Sequence, residues 1–229
     1  ILRDFVKAAI PSIVANDAQG PGGCAASSAS IGAASMTQPP QAPSADRPTE
    51  QSIAALVRRL DRPVVLVGLM GAGKSTVGRK LAALLHRSFV DADEEVEKAA
   101  QMTIAEIFAE FGEDYFRDGE RRVIARLMEE GHGVIATGGG AFVNDQTRAL
   151  ILERGIAVWI DCPVDTLVLR TARKNTRPLL RQGDPREILT RLHAERQPFY
   201  AQAPIRVISE QGPQSETALA IIGAIDQWL

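Results

Sequence analysis

At 229 residues the chain is long enough for one α/β domain with an appendage. It is 45% hydrophobic and 24% charged, and its formal net charge of −2 argues against a general nucleic-acid or membrane surface, so any positive charge must be local. The two cysteines, Cys24 and Cys162, have no metal-ligand spacing and form no disulfide framework, which suits a reducing, cytoplasmic setting, and no apolar run approaches the ~18 residues of a membrane span.

Residues 1–50 differ from the rest. From Ala15 to Pro48 the chain is rich in Ala, Ser, Gly, Pro and Gln, with few large apolar residues. Such a segment buries too little surface to offset its ordering entropy, so a disordered extension is expected ahead of a folded domain over residues 51–229. It lacks the apolar core of a secretory signal and the arginines of a mitochondrial transit peptide. The first methionine is Met36, expected to be the natural start, with residues 1–35 an upstream extension.

Within the domain, Ile53, Leu56, Val57 and Leu60 predict a short helix over 52–60. Val64 to Val67 reads as a buried strand, followed by a glycine-punctuated loop and an amphipathic helix from Lys74 to His86. Ser88 to Val90 is a second strand, ending in Asp91-Ala92-Asp93, and an acidic helix begins at Glu94. Thr103 to Glu106 is a capping box that opens another helix. Gly112 is expected to end it, and a longer helix runs from Glu113 to Glu130. Val134 to Thr137 is a third strand leading into Gly138-Gly139-Gly140. Asn144 caps a helix to Glu153 with Gly155 beyond its end. Ile156 to Ile160 is a fourth strand, Val164 to Arg173 a helix, Pro185 to Arg196 another, Ile205 to Ile208 a fifth strand, and Glu216 to Leu229 the last helix. Strands alternating with helices predict a parallel sheet covered on both faces.

The chemistry starts at Gly68-Leu69-Met70-Gly71-Ala72-Gly73-Lys74-Ser75-Thr76. A strand, a G-x-x-x-x-G-K-S loop and a helix are the Walker A phosphate loop in its required context. The amides from Gly71 and Ala72 through Gly73, Lys74, Ser75 and Thr76 are candidates to cradle an anion at the positive helix end. Lys74 is placed to reach the β- and γ-phosphates of a nucleotide, and the Ser75 hydroxyl to ligate Mg²⁺. A phosphate loop alone says that an NTP binds, not which reaction follows.

Asp91 and Asp93, two apart at a strand's C-terminal end, are expected on the same side by strand periodicity. One suits Mg²⁺, directly or through water, and the other suits accepting a hydroxyl proton, although acidic residues also favour helix N-termini for their own sake. Phe116-Arg117-x-x-Glu120 puts Arg117 and Glu120 on one helix face, which fits either recognition of a planar anion or a surface ion pair. Three glycines after a strand cost conformational entropy, so Gly138, Gly139 and Gly140 point to close backbone approach by an anion. Arg170, Arg173, Lys174, Arg177 and Arg181 crowd around Asn175-Thr176-Arg177-Pro178, consistent with a solvated basic loop or with a closing lid over residues 174–184.

In this order and spacing, the phosphate loop, Asp91-Ala92-Asp93, Phe116-Arg117-x-x-Glu120, Gly138-Gly139-Gly140, Arg177-Pro178-Leu179-Leu180 and Glu195-Arg196-x-Pro-x-Tyr200 resemble the shikimate kinase family, over residues 60–229. The resemblance implies a P-loop three-layer α/β/α fold, its five-stranded parallel sheet in the order 2-3-1-4-5, with a mobile lid. It implies ATP-dependent phosphorylation of shikimate on its 3-hydroxyl by a cytoplasmic monomer using ATP and Mg²⁺. It further implies that Asp93 holds the substrate hydroxyls and assists deprotonation, and that Asp91 lies near Mg²⁺ with Ser75. Arg117 and Arg196 with Gly138, Gly139 and Gly140 would clamp the substrate, and Glu120 would hold Arg117. Arg177 would contact the transferring phosphate, and Arg170 and Pro213 would flank adenine. A gluconate-type kinase shares the phosphate loop but gives no reason for the two aspartates, the triple glycine, Arg117 and Arg196 together. A non-catalytic nucleotide-binding module predicts a broken motif, and Lys74, Ser75, Asp91, Asp93 and Arg177 are all in place.

Overall fold

The computed structural model describes residues 47–172 and 183–229. Residues 1–46 of the expected extension, most of the expected lid and Arg177 lie outside the described residues. The elements run α1 (Glu50–Arg59), β1 (Val64–Val67), α2 (Lys74–Leu84), β2 (Phe89–Asp91), α3 (Ala92–Ala100), α4 (Ile104–Glu129), β3 (Val134–Ala136), α5 (Asp145–Arg154), β4 (Ile156–Asp161), α6 (Val164–Ala172), α7 (Pro185–Tyr200), β5 (Ile205–Ile208) and α8 (Gln214–Trp228).

The five strands form one all-parallel sheet in the order β2-β3-β1-β4-β5, as the family resemblance implies. Val65 of β1 lies between Ile135 and Ala157, and Leu66 lies between Ala136 and Val158. The three central strands are buried throughout and apolar except for Asp161 at the end of β4, as a parallel sheet covered on both faces requires. The edge strands differ: β5 alternates buried and exposed, with Arg206 and Ile208 outward. Helices α4 and α5 pack on each other. The last helix, α8, packs on α2.

Local signals hold at most element ends. Asn144 caps α5 by accepting from the Thr147 amide, and Thr103 and Glu106 form the reciprocal capping box of α4. Gly112 breaks α4 with φ 81 and ψ 177, a backbone state open to glycine, so the predicted end there is a kink between two helical halves. Several boundaries move by one or two residues, the first helix starting at Glu50 and the last at Gln214, and two further changes have a plain cause. The acidic helix α3 starts at Ala92 instead of Glu94, because Asp91 acts as its N-cap. Helix α7 continues past Arg196 and Pro198 to Tyr200. Its last turn is fastened by the Tyr200 side chain, which is buried at the C-terminal edge of the sheet.

Candidate active site

The phosphate loop leaves β1 at Gly68 and closes at Gly73, both with positive φ, and α2 begins at Lys74. Gly73 gives α2 no side-chain cap, so the first-turn amides point into the loop as a ready anion site. The Lys74 ammonium is buried and donates to the carbonyls of Gly68 at 2.7 Å and Leu69 at 2.9 Å. It thus lies along the inner wall of the loop.

Beside it, Ser75 donates its hydroxyl to Oδ2 of Asp91 at 2.6 Å. Oδ1 of Asp91 accepts from the Asp93 amide at 3.1 Å. This revises the strand-periodicity argument. Asp93 is not a strand residue but sits in the first turn of α3, and the two carboxylates have different neighbours. Asp91 faces Ser75 on α2, whereas Asp93 faces the turn after β3. A Cβ built on Gly138 would lie 2.6 Å from Oδ1 of Asp93 and 2.8 Å from Oε1 of Glu120. Burial first, and Asp91 second, push the Asp93 carboxyl up to about 6, against the pull of Lys74 and Arg117.

Arg117 projects from the second half of α4 toward the same turn. Its NH1 donates to Oε2 of Glu120 at 2.7 Å, and its Nε and NH2 donate to Oε1 of Glu113 at 3.2 and 3.1 Å. The guanidinium also lies 5.0 Å from the Phe116 ring centre. Glu120 is fully buried, and burial pushes its carboxyl up to about 7 despite Arg117. Its Oε1 has no hydrogen-bond partner among the described residues. Gly140 lies so close to Arg117 that a Cβ there would run into the guanidinium, which explains a second glycine of the triplet by contact.

The third glycine has a different use. The Gly139 carbonyl accepts from Arg196 NH1 at 3.1 Å and from the Tyr200 hydroxyl at 2.5 Å. The turn therefore anchors the end of α7 by its oxygen. Burial pushes the Tyr200 phenol up to about 12, so it stays a donor.

On the far side of the phosphate loop, Arg170 NH1 donates to Ala72 O at 3.1 Å and Ser209 Oγ at 3.1 Å, and NH2 donates to Glu210 O at 2.6 Å. Pro213 is the N-cap of α8 in the same loop region. Oε1 of the adjacent Gln214 is buried without a hydrogen-bond partner among the described residues, 2.6 Å from where a Gly73 Cβ would be.

The structure thus gathers Lys74, Ser75, Asp91, Asp93, Arg117, Glu120, Gly138 to Gly140 and Arg196 at the C-terminal edge of the sheet, with Arg170 and Pro213 on the other flank of the loop. Ligands of open α/β sheets sit at this edge. Three contributors carried no distinct signal in the sequence. Glu113 is one of several acidic residues on its helix. Tyr200 stood only as the end of a motif, and Gln214 as a polar residue at a helix start.

Comparison with known proteins agrees with this geometry. The family model for shikimate kinase matches residues 70–226. The chain is 64% identical to the shikimate kinase of Novosphingobium aromaticivorans, over 79% of this chain and 96% of that one. It is 54% identical to the shikimate kinase of Caulobacter vibrioides, over 72% of this chain and 83% of that one. Among solved structures, it superposes on shikimate kinase from Acinetobacter baumannii in complex with shikimate with a TM-score of 0.67 at 39% identity, covering 72% of this chain and 92% of that one. The enzyme from Aquifex aeolicus gives a TM-score of 0.63 at 35% identity, over 72% and 96%. A full phosphate loop, a half-buried acid facing an arginine across a glycine turn, and these levels of identity lead to one conclusion: the chain belongs to the shikimate kinase family.

Proposed function

We propose that this enzyme transfers the γ-phosphoryl group of ATP to the 3-hydroxyl of shikimate, a step toward chorismate and the aromatic amino acids. The observation that carries the reading is the facing of Asp93 and the Arg117–Glu120 pair across Gly138, beside Lys74. A ring bearing hydroxyls and one carboxylate needs an acid residue for the first and a guanidinium for the second.

In this reading Arg117, already oriented by Glu120 and Glu113, grips the substrate carboxylate with Arg196. The Gly138, Gly139 and Gly140 backbone lets the ring lie close. Asp93 orients the 3-hydroxyl and accepts its proton, and a carboxyl pushed up to about 6 suits a base working near neutrality. Lys74 exchanges a loop carbonyl for phosphate oxygens, while the amides from Gly71 to Thr76 hold the rest of the triphosphate. Arg170, with its in-plane donors engaged, offers a flat face to adenine opposite Pro213. Arg177 steadies the moving phosphoryl group.

Mg²⁺ fits the donor set at Ser75 and Asp91. One hydroxyl and one carboxylate oxygen, 2.6 Å apart, are hard ligands. Among the described residues no group of three or more His, Cys, Asp and Glu forms a protein cage for a metal. An ion that keeps several waters and takes its remaining ligands from phosphates suits such a sparse site. When bound, it supplies neutralisation of phosphate charge during transfer.

The test is a coupled ADP-release assay with shikimate, with gluconate and with no acceptor. ADP release with shikimate alone is expected. Equal turnover with gluconate would move the enzyme to another class of small-molecule kinase.

A further inference from the structure

Asp161 ends β4 beside the phosphate loop, and the reaction described above gives it no task. Its oxygens are divided between two partners. Oδ2 accepts from Arg206 through Nε at 3.1 Å and NH2 at 2.6 Å, and Oδ1 faces Nε2 of His193 at 3.3 Å. Sheet register explains the first partner. Arg206 of β5 pairs with Trp159 of β4, so it lies diagonal to Asp161 on the same face. Its guanidinium packs over the Trp159 ring at 4.7 Å. The carboxylate is thereby held on a two-strand platform, and its side chain is only 12% exposed.

The second partner comes from elsewhere. His193 lies on α7, three residues before Arg196 and seven before Tyr200, so the three share one face of that helix. Arg196 and Tyr200 both reach the Gly139 carbonyl. One face of α7 is therefore pinned at two places: to the end of β4 through His193, and to the glycine turn after β3 through Arg196 and Tyr200. A paired carboxylate accepts only, so His193 donates through Nε2. Because Arg206 already fixes Asp161, making this bond costs the freedom of one ring.

We propose that His193 and Asp161 are positioning residues for the acceptor side of the site. They set the rotation of α7 about its own axis so that the Arg196 guanidinium meets the substrate carboxylate. This rests on the role given to Arg196 under the proposed function. The effect of losing the His193 ring falls on shikimate more than on the nucleotide, because His193 bonds Asp161 through its side chain and shares a helix face with Arg196, whereas Lys74, Ser75 and Arg170 are held by other partners.

The experiment uses the full chain and four variants: His193→Ala, His193→Gln, Arg196→Ala and the double variant His193→Ala with Arg196→Ala. Shikimate Kd by calorimetry, the KM for ATP, kcat and Tm are measured for each. Loss of one hydrogen bond predicts about threefold to tenfold weaker shikimate binding for His193→Ala, with the KM for ATP within about twofold. His193→Gln, whose amide nitrogen can stand near Nε2, is expected to recover most of the loss. In the Arg196→Ala background the His193→Ala change is expected to add less than about twofold, because its effect passes through Arg196. Normal shikimate affinity in His193→Ala overturns the inference. So does an equal loss in both backgrounds, or a fall in Tm that weakens ATP and shikimate alike. If Arg196→Ala itself binds shikimate normally, the role given to Arg196 falls first.

Discussion

Oδ1 of Asp93 and Oε1 of Glu120 converge on Gly138 from two different helices, with space between them for a glycine and nothing larger. Gly138→Ala would push a methyl group against both carboxyls, displacing the proposed base and the residue that holds Arg117. A displacement costing about 1–3 kcal/mol at this point is expected to lower kcat/KM for shikimate by roughly 5- to 150-fold. The KM for ATP should stay near normal. Steady-state kinetics in both substrates check it, and a parallel loss for ATP would place the damage in the phosphate loop.

Asp93→Asn keeps size and hydrogen bonding but removes the charge and the proton acceptor. A loss of about 10²- to 10⁴-fold in kcat is expected if Asp93 is the base. ATP affinity should persist, because the loop amides, Lys74 and Ser75 are untouched. A near-normal kcat would reject the assignment.

Arg117→Ala removes a charge-assisted contact to the substrate carboxylate worth about 1.5–3 kcal/mol. Shikimate binding should weaken roughly 10- to 150-fold. Calorimetry with shikimate and, separately, with an ATP analogue gives the comparison. An unchanged shikimate Kd would leave Arg117 with only its ion pairs to Glu113 and Glu120.

Glu120 makes stability depend on pH. Its carboxyl is raised from 4.5 to about 7 in the folded protein, so the native state holds the proton that the unfolded chain gives up. The contribution of this proton is fully present below pH 4.5 and is lost as pH rises through about 7. Glu120→Gln does not titrate there. Its stability relative to the parent protein should therefore rise between these two pH values, by an amount on the order of 1–3 kcal/mol. Urea unfolding of both proteins at pH 5 and pH 8 tests the sign. A constant difference would mean that Arg117 keeps Glu120 ionised throughout.

The sequence alone was enough for the order of the five strands' segments, the phosphate loop, the capping box at Thr103, the break at Gly112 and the cap at Asn144. All of these are governed by residues within one or two turns of each other, so their physics is local. The family resemblance added the sheet order and the set of site residues. What only the tertiary structure decided lies across long separations. Asp91 turned out to cap α3, which sends Asp93 toward Gly138 and leaves Asp91 with Ser75. The Gly139 carbonyl accepts from Arg196 and Tyr200, 57 and 61 residues away. Asp161 finds His193 and Arg206 at separations of 32 and 45 residues, and neither pairing has any trace in local spacing. Side-chain partners of this kind are set when helices dock on the sheet, because burial favours pairing each polar group near the edge with a donor or acceptor from another element, and Glu120 Oε1 and Gln214 Oε1 are the exceptions among the site residues described.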